Sequence, residues 1–139
     1  MTTSSVDQSV EEGSKVDLER STIFWLKPGI VKIYYKDGNE LSIQDHREIF
    51  ETVRAKYGTK KVKLLLTAGD WVSHSKEAFK YSTSKEVMQF CICLAMIVDS
   101  PGKQLVGNFF LKIFRPAAPT KFFKNEEEAF NWLESFPVL

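Results

Sequence analysis

Asp70, Ser73 and His74 fall within five residues and are the three residue types of a hydrolytic triad. Neighbours so close in sequence rarely converge on one another, and no Gly-x-Ser-x-Gly nucleophile elbow accompanies them. A surface loop is the expected reading, with no catalytic residues. His46 is the one other imidazole in the chain, and it lies on the apolar stripe of a helix, where a histidine usually packs. Cys91 and Cys93 alternate along a strand and are expected on one face. Two thiols without further Cys or His nearby make a poor zinc site, so core packing is expected and no metal. Gly102-Lys103 resembles the end of a phosphate-binding loop. Ile97 stands where that motif needs its first glycine and Gln104 where it needs Ser or Thr, which excludes it.

Two features point to contacts instead. Ser73 and Ser75 precede a helix, where a phosphate would meet free backbone N–H groups and the helix dipole, although serine is also the ordinary N-cap. Trp71 sits mid-loop beyond the C-terminal end of a strand, the side on which open α/β sheets bind ligands. With Asp70 and His74 it would rim a pocket; alternatively it would close the sheet end as a hydrophobic lid.

The elements that must position these residues are well punctuated. Phe90–Val98 is an unbroken run of nine apolar residues, the pattern of a strand buried on both faces of a largely parallel sheet. Asp99-Ser100-Pro101 supplies a cap and a first-turn proline, so a helix is expected to about Phe114. A Pro-rich loop, a short strand over Thr120–Phe123 and a terminal helix capped by Asn125 with Glu128 follow. Earlier in the chain, Leu18–Leu26 and Ile30–Lys36 read as an antiparallel pair about the Lys27-Pro28-Gly29 turn. Ser42 with Asp45 opens a helix whose face is Ile43, His46, Phe50, Val53 and Tyr57, closed by Gly58. Val62–Thr67 is the next strand, and a helix from about Ser75 is expected to break at Ser82-Thr83-Ser84. The chain reads β-β-α-β-α-β-α-β-α: an α/β fold with a mixed five-stranded sheet, its first strand antiparallel.

The bulk properties fit one domain. The chain has 139 residues, 43% of them hydrophobic and 18 aromatic, with a net charge of +1. Five acids against Lys15 and Arg20 give residues 1–20 a net −3, leaving about +4 for the rest, too little for a dedicated nucleic-acid binder. The polar start is expected to be a disordered acidic tail over residues 1–16, with the domain over 17–139. Nine apolar residues are about half of a membrane span. The first residues lack a basic and an apolar signal region, so a cytoplasmic location is expected.

Several short stretches, taken in order, resemble the STAS superfamily, and in particular the small SpoIIAA-like proteins of bacteria. They are Trp25-Leu26 before Gly29-Ile30-Val31; Ser75-Lys76-Glu77-Ala78 with Tyr81; Gly107-Asn108-Phe109-Phe110-Leu111; and Pro119–Phe123 with Glu127-Glu128-Ala129 and Trp132-Leu133. The resemblance spans roughly residues 20–136. It implies near-sequential strand order with helices mainly on one face, and binding or regulation rather than catalysis. It also implies partners such as proteins, nucleotides or lipids. In the anti-sigma antagonists of this superfamily, an Asp-Ser-Ser-Gly-like turn opens the second helix and its first serine is phosphorylated. Here the matching stretch begins at Ser75, with Lys76 in register with that serine and no glycine following; Ser75 is the candidate phosphorylation site. A role for Asn108 or Arg115, which flank the apolar third helix, rests on the resemblance alone.

Helices on one face would leave the other face of the sheet open. Lys32, Tyr34 and Lys36, with Lys63 and Leu65 beside them, would line it and offer a homodimer surface; the alternatives are a covering helix or a solvated face. The expected function is therefore a non-enzymatic protein-interaction or small-ligand-sensing module without a cofactor, using the loop Gly69–Ser75. The alternative is a hydrophobic-ligand or lipid-binding protein, if the Leu105–Phe114 face exceeds what the sheet can bury.

Overall fold

The computed structural model describes residues 13–114 and 117–137. Arg115 lies outside them, as does the expected tail as far as residue 12. The inner end of that tail belongs to the domain: Lys15–Asp17 form β1, antiparallel to β2 (Ser21–Lys27). The strand expected from Leu18 therefore starts at Ser21, because residues 18–20 make the turn from β1, where the Leu18 N–H donates to the Ser21 carbonyl at 2.8 Å. The Lys36 ammonium and the Thr22 hydroxyl both bond the Asp17 carboxylate and hold its pKa below the ordinary value.

β3 (Ile30–Tyr35) returns antiparallel to β2 through Gly29, whose φ of +81° is the left-handed value that glycine accepts without strain. β4 (Glu40–Leu41) leads into α1 (Ile43–Tyr57). Both bonds of the capping box form there: the Asp45 N–H donates to Ser42 Oγ, and the Ser42 N–H to Asp45 Oδ2 at 2.8 Å. Then come β5 (Val62–Ala68), β6 (Ser73–His74), α2 (Lys76–Ser82), α3 (Lys85–Met88) and β7 (Cys91–Ile97). The helical stretch does break at Ser82-Thr83-Ser84, because the Ser84 side chain caps α3 by accepting from the Val87 N–H. α4 (Pro101–Phe114), β8 (Thr120–Phe123) and α5 (Glu126–Glu134) complete the chain.

The main sheet has six strands in the order β1-β2-β3-β5-β7-β8, antiparallel through β3 and parallel beyond it. It has one strand more than the sequence pattern suggests, because β1 is too short to show alternation. A separate parallel pair joins β4 to β6, where the sequence pattern shows only loop. No described helix is long and apolar enough to cross a membrane.

One face of the sheet carries Ile23, Trp25, Val31 and Ile33 under Ile49 and Val53 of α1, with Met88 of α3 over Cys91 and Leu94. α4 joins that side through Phe110, which meets Phe79 of α2, and through Gly107, set so close to the Phe122 ring that a Cβ there would lie 2.8 Å from it. α5 alone crosses to the other face, laying Ala129 and Leu133 on Ile30, Leu65, Cys93 and Ala95.

α5 corrects the expectation of an open dimer face. Leu65 is only 1% exposed, and Lys63 is buried with its ammonium donating to the Phe136 carbonyl. Lys32 pairs with Glu126 of α5 at 2.9 Å and lies over the Phe24 ring, while the Tyr34 hydroxyl turns to Asp37. Lys36 is drawn to Asp17. A terminal helix is not a crossover between parallel strands, so the handedness rule does not assign it to a side. Replacing Leu133 by Ala removes the apolar centre of that cover. Urea denaturation should then show a loss of about 2–5 kcal/mol, with faster amide exchange in β5 and β7 but not in β1.

Candidate functional site

The loop Gly69–Ser75 is held at its root by backbone bonds. The Gly69 N–H donates to the Tyr35 carbonyl at 2.9 Å, Gly38 N–H to Asp70 O at 2.8 Å, Ser73 N–H to Asn39 O at 3.0 Å and Ser75 N–H to Leu41 O at 2.9 Å. The Asp37 carboxylate accepts from the Asp70 N–H at 2.8 Å. This clamp needs Gly69: a Cβ there would stand 1.6 Å from Asp37 Oδ1. The Lys103 ammonium, paired with Asp99, donates to the Ala68 carbonyl and fixes the first turn of α4 beside the loop.

At the tip, Trp71 takes a φ of +61° and is 92% exposed. It does not lie over the sheet end as a lid, which corrects that reading. A bulky residue in the left-handed region is an outlier that costs of order 1–3 kcal/mol. The firmly bonded loop holds it there.

The residues that resemble a triad are separated by the pleat of β6. Ser73 is exposed, while His74 turns inward, where its Nδ1 lies 3.0 Å from Nε2 of His46. Tyr35 packs against both rings, with centroids 5.0 Å from His74 and 5.7 Å from His46. Burial lowers both imidazole pKa values to about 4; for His46 the neighbouring His74 lowers it further and Asp45 partly opposes this. Asp45 is itself held below the ordinary value: burial raises it, but bonds from Ser42 and Arg20 outweigh that. Burial alone raises the Tyr35 phenol. The histidine pair thus ties α1 to the root of the Trp71 loop. His46 on an apolar stripe with a single fellow imidazole was the one sequence signal for it, but a cross-chain meeting needs the β4–β6 pairing to be known.

Ser75 is spent on structure: its Oγ accepts from the Ala78 N–H at 3.1 Å and caps α2. Cys91 and Cys93 do not share a face, which corrects the expected alternation. The ladder between β5 and β7 slips by one residue at Val62/Lys63, so Cys91 packs on the α3 side and Cys93 on the α5 side. Burial pushes their thiols up to about 12 and about 11. Among the described residues no group of three or more His, Cys, Asp or Glu gathers as a metal would require. Asn108 accepts from Gln104 one turn back on its own helix.

α4 supplies what the sequence pattern anticipated. Gly107 and Phe110 face inward, while Leu105, Val106, Phe109 and Ile113 form a stripe left 52–71% exposed.

Residues 24–137 match the model of a domain of unknown function, DUF7793. No curated protein matches the chain. Among solved structures it is similar to an uncharacterised protein of the DUF3478 family with a SpoIIAA-like fold, from Shewanella loihica. The identity is 16% and the TM-score 0.58, over 87% of this chain and 99% of that one. This likeness shows the SpoIIAA-like fold. A protein of unknown function from Arthrobacter sp. fb24 aligns at 21% identity over 82% of this chain and 99% of its own, with a TM-score of 0.30.

The histidine pair makes stability depend on pH. Each imidazole titrates near 6.5 when unfolded and near 4 when folded, so the unfolded chain takes up protons first on acidification. The stabilisation tied to the neutral pair is complete above pH 6.5, declines as pH falls from 6.5 to 4, and is gone below. The denaturation midpoint should fall across that window by the equivalent of ~3 kcal/mol or more for the two groups. A His46→Gln, His74→Gln double variant should lose most of the slope.

Proposed function

We propose that this chain, which belongs to the DUF7793 family, is a non-enzymatic regulatory module that docks another protein through the Gly69–Ser75 loop and the adjoining stripe of α4. The observation that carries the reading is Trp71: a large aromatic side chain held fully in solvent on a strained but firmly bonded loop. A tryptophan offers about 150–250 Å² for burial and is among the side chains that most often dominate interface energetics. Because the loop is already fixed, docking it costs little ordering entropy. The four exposed apolar residues of α4 offer a further apolar surface, and exposed patches of that kind mark contact sites. The two imidazoles bond each other rather than a serine, which supports a role without catalysis. The partner is a different protein or a second copy, in the cytoplasm.

The α4 stripe also favours a second reading, binding of a hydrophobic ligand or lipid, since it exceeds what the sheet buries. Native mass spectrometry of the purified chain separates the two: a lipid-sized mass lost on denaturation supports the second reading.

Trp71→Ala should leave the urea midpoint within about 0.5 kcal/mol of wild type. It should weaken capture of the partner, identified by a photo-crosslinker placed at position 71, by about 2 kcal/mol or more. Phe109→Ser should act in the same direction. A Trp71→Ala chain that loses stability yet keeps its partner would make the loop purely structural and end this assignment.

A further inference from the structure

Residues 100–125 contain five basic residues, Lys103, Lys112, Arg115, Lys121 and Lys124, and no acid. The whole chain is +1, so everything outside that stretch sums to −4. The positive stretch takes in α4 and β8, and α4 carries the exposed stripe of Leu105, Val106, Phe109 and Ile113. Positive charge and exposed apolar surface are thus gathered in one part of the chain.

The stripe follows the helix period. Leu105, Phe109 and Ile113 stand four apart and Val106 lies three before Phe109, so the four share one side of α4 over about 12 Å. Lys112 borders that side, three residues beyond Phe109 and next to Ile113. It is exposed and, like Lys121 and Lys124, enters no ion pair among the described residues. Lys103 is paired with Asp99, one residue before the stretch. α2 touches α4 through Phe79 and Phe110, and it adds exposed Lys76 and Lys80 against a single acid, Glu77.

A helix with an apolar side and cations at its margin lies in the plane of a lipid surface. Its apolar side enters the boundary between headgroups and acyl chains, and its cations meet anionic headgroups. α4 has 14 residues, too few to cross a bilayer but enough to lie on one. The positive charge continues past α4 onto β8 and the residues after it, which matches an extended anionic surface better than one acidic spot on a protein.

We propose that α4 seats the folded domain on an anionic phospholipid surface, with Leu105, Val106, Phe109 and Ile113 in the headgroup boundary and Lys112 at the phosphates. This rests on the second reading above and names its lipid as a bilayer surface rather than one extracted molecule. The Trp71 loop is not required for it.

The test is sedimentation of the full chain with vesicles of phosphatidylglycerol and phosphatidylcholine, against vesicles of phosphatidylcholine alone. Binding should be at least tenfold tighter to the anionic vesicles and should weaken as salt is raised. Lys112→Glu and Ile113→Ser, both at exposed positions, should each weaken it about fivefold. A polarity-sensitive dye on Ile113→Cys should shift to the blue on the anionic vesicles. The same dye on Asn131→Cys of α5, which packs on the opposite face of the sheet, should not. The native thiols are buried and do not compete for the label. The wild-type comparison of the two vesicles needs no variant, so a misfolded variant does not shield the proposal. No binding to the anionic vesicles, equal binding to both, or an equal dye shift at positions 113 and 131 would overturn it. A lipid-sized mass in native mass spectrometry without vesicle binding would overturn it too, while leaving the second reading in place. A crosslink from position 109 to a protein, again without vesicle binding, would overturn it by giving the stripe to a protein partner.

Discussion

The two central strands of the parallel half impose the condition that the rest of the molecule meets. β5 and β7 carry apolar side chains on both faces, Leu64 and Leu94 toward α1 and α3, Leu65 and Ala95 toward α5. A parallel sheet of that kind is stable only when covered on both sides. Right-handed crossovers place every connecting helix on one side, which leaves the other to the chain's last segment. α5 meets the need with Ala129 and Leu133, which are fully buried, and with the Lys32–Glu126 and Lys27–Glu134 ion pairs at its margins. Those pairs are partly or well exposed and matter more for alignment than for stability.

The division of labour between α4 and α5 follows from the same condition. α5 is short, and its apolar residues are absorbed by the sheet. α4 is longer and touches the body through a narrow seam, Gly107 on Phe122 and Phe110 on Phe79. Close approach at Gly107 brings the helix axis near the sheet, yet the apolar arc is wider than the seam, so Leu105, Val106, Phe109 and Ile113 face outward. A helix that covers a core does not need residues of this kind on its outer side. Surplus on α4 and a solvent-facing Trp71 are two places where the described residues depart from what folding alone asks of them.

What was legible in the sequence is what local chemistry decides. Ser42, Ser75, Ser84 and Asn125 each start a helix because a side-chain oxygen meets an N–H two or three residues on, a relation that needs no knowledge of the fold. The strands β2, β3, β5 and β7 announce themselves by runs and alternation. The element order and the SpoIIAA-like fold follow from these. Three things were not legible because each is decided across the chain. The β4–β6 pair is two residues long and carries no periodicity. The side taken by α5 is fixed by which face lacks cover. The meeting of His46 with His74 depends on the first of these. Of the candidate site, the loop and its tryptophan were found, whereas the buried histidine pair behind it was not.

The one-residue slip between β5 and β7 has a result in a different currency. By placing Cys91 and Cys93 on opposite faces of the sheet, each enclosed by side chains, it removes any route by which the two sulfurs could join each other. It also withholds both from a second molecule. Thiols raised this far are poor nucleophiles toward peroxide or glutathione. In the folded domain the two cysteines are therefore withheld from thiol–disulfide exchange and serve as small hydrophobic residues that happen to contain sulfur.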